Sequence, residues 1–337
     1  MADQTLSLSR LGQVKGAGDE LALFLKVGIN EVLDAFETTT VFKDRIYTRS
    51  LKGAKSAAFP IAGKKSAGYH TPGNPILGQT NTPSDLNERV IALDALLIAD
   101  DSIYSLDELM NYWSVRQNYT VELGRALAYD LDKRAARVIF NAASTVTEPL
   151  GKAGNAGRIG FKVTLSAGYA AETDPSKKGD ELVQAIFKCA AALDKKDVPK
   201  SDRTIALGPD DFYAVTQSSK AINVDFNGGG GANGTIAEGR TMRVAGIPIV
   251  ESNFVTQPAY TNQANFDRNA DYQADLSKCI GLVWRRQAAG LLMGIEPTLQ
   301  VTSGDHNVIY QATTMVAKMN IGMAKLRAEE ACAIVIP

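Results

Sequence analysis

Apolar positions recur at helical spacing from Asp19 onward, where Leu21, Phe24, Leu25, Val32, Leu33 and Phe36 form one stripe at steps of three, four and seven. The spacing predicts a helix ending before the β-branched run Thr38-Thr39-Thr40-Val41, with Gly28 weakening its middle. Residues 1–17, with Gly12, Gly16 and several Ser and Thr but no sustained period, read as a mobile arm. Between Arg45 and Arg89 the pattern changes. Short extended pieces, Ile46-Tyr47-Thr48 and Ala57-Ala58-Phe59-Pro60-Ile61, alternate with Gly53, Gly63, Gly68, Gly73 and Gly78 and with Pro60, Pro72, Pro75 and Pro83. Such a segment cannot build its own core, so it reads as a protruding hairpin that rests on a neighbouring subunit.

A strand-like run, Val90 to Ala99, leads to Ser105-Leu106-Asp107-Glu108, a Ser-x-x-Glu capping box in which side chain and main chain of the two end residues satisfy each other. Leu106, Leu109, Trp113, Thr120, Leu123, Leu127, Leu131, Val138 and Ala142 follow at helical spacing with no proline before Pro149. The predicted helix, 105–143, is ~38 residues and ~57 Å long at about 1.5 Å per residue. Its stripe is narrow, so most of its circumference needs sheets, neighbours or solvent around it.

Residues 151–297 read as mixed α/β: a helix Asp180 to Lys195, a strand Arg203 to Leu207, a short helix capped at Pro209-Asp210-Asp211, and strands Ile247 to Val250 and Cys279 to Trp284. Residues 227–234, a glycine run, read as a loop tip. The last segment, 298–337, carries an alternating strand Ile309 to Met323, a turn near Arg327 and a closing strand Ala333 to Ile336.

Composition narrows the function classes. With 36 basic and 37 acidic residues the net charge is -1, which gives no general attraction to DNA or to an anionic membrane. Cys189, Cys279 and Cys332 are far apart and read as reduced thiols in apolar settings. No basic-then-apolar leader and no apolar run near ~20 residues is present, which predicts folding in a reducing cytoplasm.

Candidate chemistry is thin. The glycine run lacks the Lys and hydroxyl of a phosphate loop, and Gly63-Lys64-Lys65-Ser66 lacks its first glycine. His70 and His306 are the only histidines, and Asp305-His306 sits among turn formers, where a solvated turn outweighs a catalytic dyad. Asp100-Asp101 and Asp210-Asp211 sit where helix caps are expected, and Cys189 reads as a small core residue. The sequence predicts no catalytic residue, no cofactor and no metal site.

Several segments, in order, resemble a known family: Gly18-Asp-Glu-Leu-Ala-Leu-Phe-Leu-Lys-Val27, Lys55-Ser-Ala-Ala-Phe-Pro60, His70-Thr-Pro-Gly73, Leu96-Leu-Ile-Ala-Asp100 and Tyr112 through Leu123. Val198-Pro-Lys-Ser-Asp-Arg203, Gly246-Ile-Pro-Ile-Val250 and Tyr310-Gln-Ala312 continue the series. Together they are similar to the major capsid proteins of short-tailed phages of the autographivirus, T-odd podovirus type. One departure is Leu326-Arg327-Ala328-Glu329, where the family often shows Leu-Arg-Pro-Glu, and the segment between Asn223 and Arg240 also diverges.

The resemblance implies an α+β, HK97-like (Hong Kong 97) phage capsid fold. Its parts are an N-terminal arm and helix (1–44), an extended loop (45–89), a peripheral domain with the spine helix (90–150), an axial domain (151–297) and return strands (298–337). It implies a non-enzymatic subunit assembling with itself as hexamers and pentamers into an icosahedral shell around double-stranded DNA, which it touches only weakly, in the virion. Scaffolding protein during assembly and a portal protein at one vertex are the implied partners, and a decoration protein is left open. The arm and first helix are expected to face the shell interior and answer to scaffold, and that interior is expected to be near neutral or weakly acidic. An encapsulin-like compartment enclosing protein cargo is the alternative reading, and an unrecognised hydrolase a further one.

Charge suggests where one subunit meets the next. Arg45, Arg49, Lys52, Lys55, Lys64 and Lys65 gather near the extended loop, and Asp100, Asp101, Asp107 and Glu108 near the start of the spine helix. The loop is expected to lie across the spine helix of an adjacent subunit, with Phe59, Ile61 and Tyr69 supplying most of the adhesion and the charges setting register.

Overall fold

Long β-branched and aliphatic runs with no polar alternation, such as Arg203–Leu207 and Cys279–Arg285, are the mark of strands covered on both faces, and both are almost wholly buried. The computed structural model describes residues 31–62, 69–73, 86–104, 115–146, 158–218, 243–259, 269–302 and 305–337. Its elements in chain order are helix α1 (31–39), β1 (Tyr47–Ser50), β2 (Ser56–Ala62), β3 (Leu86–Ala92), β4 (Leu97–Tyr104), the long helix α2 (Val115–Ser144) and β5 (Phe161–Thr164). Then come α3 (Pro175–Lys195), β6 (Arg203–Leu207), α4 (Pro209–Thr216), β7 (Arg243–Val244), β8 (Ile247–Glu251), β9 (Cys279–Arg285), β10 (Ala289–Val301), α5 (Asp305–Tyr310), β11 (Ala312–Lys325) and β12 (Ala331–Val335). They fall into two compact units. One comprises Met1–Thr40, Asp94–Asp132 and Met293–Ile321, the other Val41–Leu93, Lys133–Leu292 and Gly322–Pro337.

In the second unit a mixed six-stranded sheet has the order β5-β12-β9-β6-β8-β7. β6 runs antiparallel to β9 and parallel to β8, and β12 runs antiparallel to β9 and parallel to β5. One face is packed by Leu182, Ile186, Cys189 and Leu193 of α3 and by Phe212 and Val215 of α4. The α3 start is capped by Asp174, which accepts from the Ser176 amide at 3.0 Å, with Pro175 in the first turn where its missing N–H costs nothing. Gly179 is required where α3 meets α4, because a Cβ there would lie 2.1 Å from the Ala214 carbonyl oxygen. Near the end of β9, Trp284 stacks on Phe42 at 5.3 Å and donates its indole N–H to the Arg45 carbonyl at 2.9 Å. That contact fastens the segment leading into β1 to the sheet.

In the first unit β4 pairs antiparallel with β11 from Leu97↔Met319 to Tyr104↔Ala312. Helix α1 packs on α2 where Gly124 leaves room, since a Cβ there would lie 2.7 Å from the Val32 carbonyl. The Thr120 hydroxyl donates to the Glu31 carboxylate at 2.7 Å across the same crossing.

Several expectations shift. α1 runs through residue 39 because the Thr38 and Thr40 hydroxyls bond back to the Asp34 and Phe36 carbonyls at 2.7 and 2.8 Å instead of ending the helix. The run Val90 to Ala99 is two strands, broken where Asp94 leaves β3 and its amide joins the Ile321 carbonyl at 3.0 Å. α3 begins five residues before Asp180, at Pro175. The stretch Ile309 to Met323 opens with the end of helix α5, and the chain turns into β11 through Gln311 at φ 48°. α2 is described from Val115, so the capping box and the first ten residues of the predicted helix lie outside the described residues, as do the arm and the glycine run.

Candidate inter-subunit surface

The alternation Ser56-Ala57-Ala58-Phe59-Pro60-Ile61 places Ala57, Phe59 and Ile61 on one face of β2 and Ser56, Ala58 and Pro60 on the other. β2 and β3 form a two-stranded antiparallel ribbon in which Ala58 opposes Val90 and Pro60 opposes Glu88. The inner face is packed within the subunit: Ala57, Phe59 and Ile91 join Leu292, Ala324 and Leu326 in one buried cluster. The outer face carries exposed Ala58, Pro60, Glu88 and Val90.

This corrects the expectation for two adhesion residues. Phe59 and Ile61 are 5% and 8% exposed in the single chain, so Phe59 holds the ribbon within that cluster and both present little surface to another subunit. Tyr69, next to His70 and the turn at Pro72-Gly73, is fully exposed. The period of two in β2 carried this signal, since Phe59 shares parity with Ala57 and Ile61. Val90, 53% exposed, was missed because it lay in a run read as uniformly apolar.

The basic residues divide in the same way. Arg45 is turned inward, its guanidinium donating to the Val41 carbonyl at 2.5 Å, so its charge serves the turn before β1. Arg49 is exposed, lies over the Phe59 ring at 5.8 Å and reaches the Ala58 carbonyl at 3.4 Å. Lys52 and Lys55 are exposed at the turn between β1 and β2, where Gly53 adopts φ +75°. Lys64 and Lys65 lie outside the described residues, as do Asp107 and Glu108.

Asp100 and Asp101 are not helix caps. They stand in the middle of β4 opposite Val316 and Met315, with Asp100 exposed and Asp101 half-buried. Asp210 and Asp211 also differ from expectation: Gly208 is the α4 cap residue, and the two carboxylates occupy its first turn. Asp211 accepts from the Tyr169 hydroxyl at 2.7 Å, and burial raises the pKa of both groups. Cys189, Cys279 and Cys332 are free and buried. Burial pushes the Cys279 thiol up to about 12 and raises Cys332 as well. No described helix is long and apolar enough to cross a membrane.

The elements thus comprise a ribbon anchored on its inner face, a long helix and a mixed sheet. The family model for the Gp10A-like major capsid protein matches residues 58–335 of this chain. The chain belongs to that family. It is 31% identical to the major capsid protein of Enterobacteria phage T3, over 97% of this chain and 95% of that protein. It is 32% identical to the major capsid protein of Escherichia phage T7, over 96% and 94% of the two chains. Among solved structures it resembles the capsid of Cyanophage P-SCSP1u, with TM-score 0.75, 33% identity and 88% of each chain covered. The mature capsid of bacteriophage PhiM1 has the same fold, with TM-score 0.69 at 17% identity over 88% and 87% of the chains. The fold is therefore the HK97-like capsid fold, and this Gp10A-like chain is a structural shell subunit of a phage virion and not an enzyme.

Proposed function

We propose that this capsid subunit closes an icosahedral shell of hexamers and pentamers around double-stranded DNA, with the extended loop of each subunit crossing the next as a clasp. The observation that supports the clasp most directly is the β2–β3 ribbon: its root is buried in its own subunit, while its outer face and Tyr69 stand exposed. Exposed Arg49, Lys52 and Lys55 on the loop side match exposed Asp100 and half-buried Asp101 on β4, so the neighbouring β4 and the spine-helix start are the acidic surface the loop crosses. Exposed ion pairs contribute only ~0–1 kcal/mol each, so the charges set register while Tyr69 and the outer ribbon face bury area.

In this reading residues 1–44 are the arm and first helix, 45–89 the extended loop, 90–150 the peripheral domain, 151–297 the axial domain and 298–337 the return strands. Scaffolding protein guides assembly in the host cytoplasm through the arm, a portal occupies one vertex, and a decoration protein is a further partner class. Electron microscopy of the purified chain tests the reading. Closed shells that package DNA support it, shells filled with protein cargo would make it a compartment, and discrete small particles under all assembly conditions would overturn it.

A further inference from the structure

Strand β4 is paired on one side. Its neighbour there is β11, and among the described residues no strand lies along its other side. In an antiparallel ladder alternate residues turn both main-chain groups toward the partner, and those between turn theirs away. These contacts identify the outward set. The Ser102 amide donates to its neighbour Asp101 Oδ1 at 2.8 Å, and Thr314 opposite it turns its main chain away from β4, accepting the Thr302 amide and donating to the Thr302 hydroxyl, both at 2.9 Å. The Ser102 and Thr314 hydroxyls meet directly across the ladder at 2.9 Å, as side chains do in the close pairs that do not exchange main-chain bonds. Ser102 therefore faces out, and by alternation so do Ile98, Asp100 and Tyr104. The side chains of this same set are exposed, Ile98 by 52% and Tyr104 by 58%.

An open edge with apolar flanks is a template for any strand, and proteins blunt such edges with charge. Here Asp101 covers the outward Ser102 N–H with its own carboxylate, and Asp100 adds a second negative charge beside it. The guard defines the partner: a strand that docks must bring cations to draw the two carboxylates off the edge. This chain carries such a strand. Among the described residues β1 has a strand neighbour only in β10, Tyr47 on it is 41% exposed, and Arg49, Lys52 and Lys55 are exposed along it and the turn that follows.

We infer that the open edge of β4 accepts main-chain pairing from the segment Tyr47–Lys55 of a second copy, with Asp101 moving from the Ser102 amide to the incoming basic side chains. The contact is head-to-tail, so it can repeat from copy to copy, and it closes a ring where the rotation between copies returns to the first. The inference rests on the clasp reading and adds to it that the main chain, and not side-chain charge alone, joins the copies.

Amide hydrogen exchange on purified subunits and on assembled shells tests it. The Ile98, Asp100, Ser102 and Tyr104 amides are expected to exchange at least ~100-fold more slowly in shells than in subunits. Equal rates in the two states would overturn the inference. Asp100→Pro removes one outward N–H and leaves the β11 side intact, which an edge strand tolerates. Its subunits are expected to unfold at the normal temperature and to give at least ~10-fold fewer closed shells. Should that variant fold poorly, the exchange comparison on the unmodified chain decides alone. If Asp100→Pro closes shells normally while the Asp100→Lys, Asp101→Lys pair fails, docking runs through charge, the clasp stands and strand pairing is overturned. If both close shells normally, both readings are overturned.

Discussion

Arg89 in the extended ribbon lies 3.5 Å from the buried carboxylate of Asp271, and that same carboxylate accepts the Lys325 amide at 3.2 Å and lies 3.7 Å from the Lys325 ammonium. The Asp271 carbonyl accepts from Asn141 near the end of α2 at 3.3 Å. One residue thus ties the ribbon root to β11 through its carboxylate and to α2 through its carbonyl. Removing it leaves Arg89 and Lys325 without their shared anion. Asp271→Ala is expected to cost about 1.5–3 kcal/mol in urea unfolding, with faster amide exchange along Leu86–Ala92. Unchanged exchange there would show that the apolar cluster alone holds the ribbon.

Phe59 and Tyr69 are expected to separate folding from assembly. Phe59→Ala opens a cavity among Ile91, Leu292, Ala324 and Leu326 and should cost about 3–5 kcal/mol of subunit stability. Tyr69, exposed, should leave unfolding within ~0.5 kcal/mol of the parent on change to Ala and should slow shell closure instead. Denaturant unfolding beside light-scattering assembly kinetics checks both, and the reverse pattern would contradict the placement of Phe59.

Two carboxylates should give opposite pH responses. Burial raises Glu330 above its ordinary 4.5, against the opposing pull of Arg285 at 3.1 Å and Arg327 at 3.8 Å. The folded state then holds that proton more tightly than the unfolded chain does, so this contribution is full below 4.5 and is lost as pH rises through the raised value. Asp194 is lowered from 3.8, first by its hydrogen bond from buried Arg203 at 2.7 Å. Its contribution is present above 3.8 and is lost as pH falls through the lowered value. Thermal unfolding of Glu330→Gln and Asp194→Asn across the acid range should therefore differ from the parent with opposite slopes. Parallel curves would contradict the assignment.

The thiols should be silent until the fold opens. Cys279, pushed up to about 12, and Cys332, also raised by burial, have almost no thiolate near neutrality. Alkylating reagent is expected to label neither in native subunits and both after denaturation. Rapid native labelling of either would show that the β9–β12 pair opens.

Where one element dictates its own pattern, the sequence told the structure closely. β6 was bounded at both ends because a short apolar run between Lys200-Ser201-Asp202 and Gly208-Pro209 has one reading. The long helix was legible as far as residue 143 because its stripe persists without a breaker. β10 was not, since Gly290, Gly294 and Pro297 argue against a strand unless something packs on it. A Cβ on Gly290 would meet the side-chain ends of Ile91 and Leu326 at 2.8 Å, a close approach of segments 199 and 36 positions away that no local pattern shows. At the proposed inter-subunit surface, charge singled out the basic turn and the acidic residues, but it could not say that Asp100 and Asp101 lie in a strand. That follows from β11, which pairs with them from more than two hundred residues downstream.

The most direct test of the clasp replaces residues 63–85 with a short Gly-Ser link and keeps β2 and β3, whose inner faces belong to the subunit core. Electron microscopy of this variant, with urea unfolding of the same preparation, is expected to show normally folded subunits and no closed shells. Stable closed shells in normal yield would contradict the account.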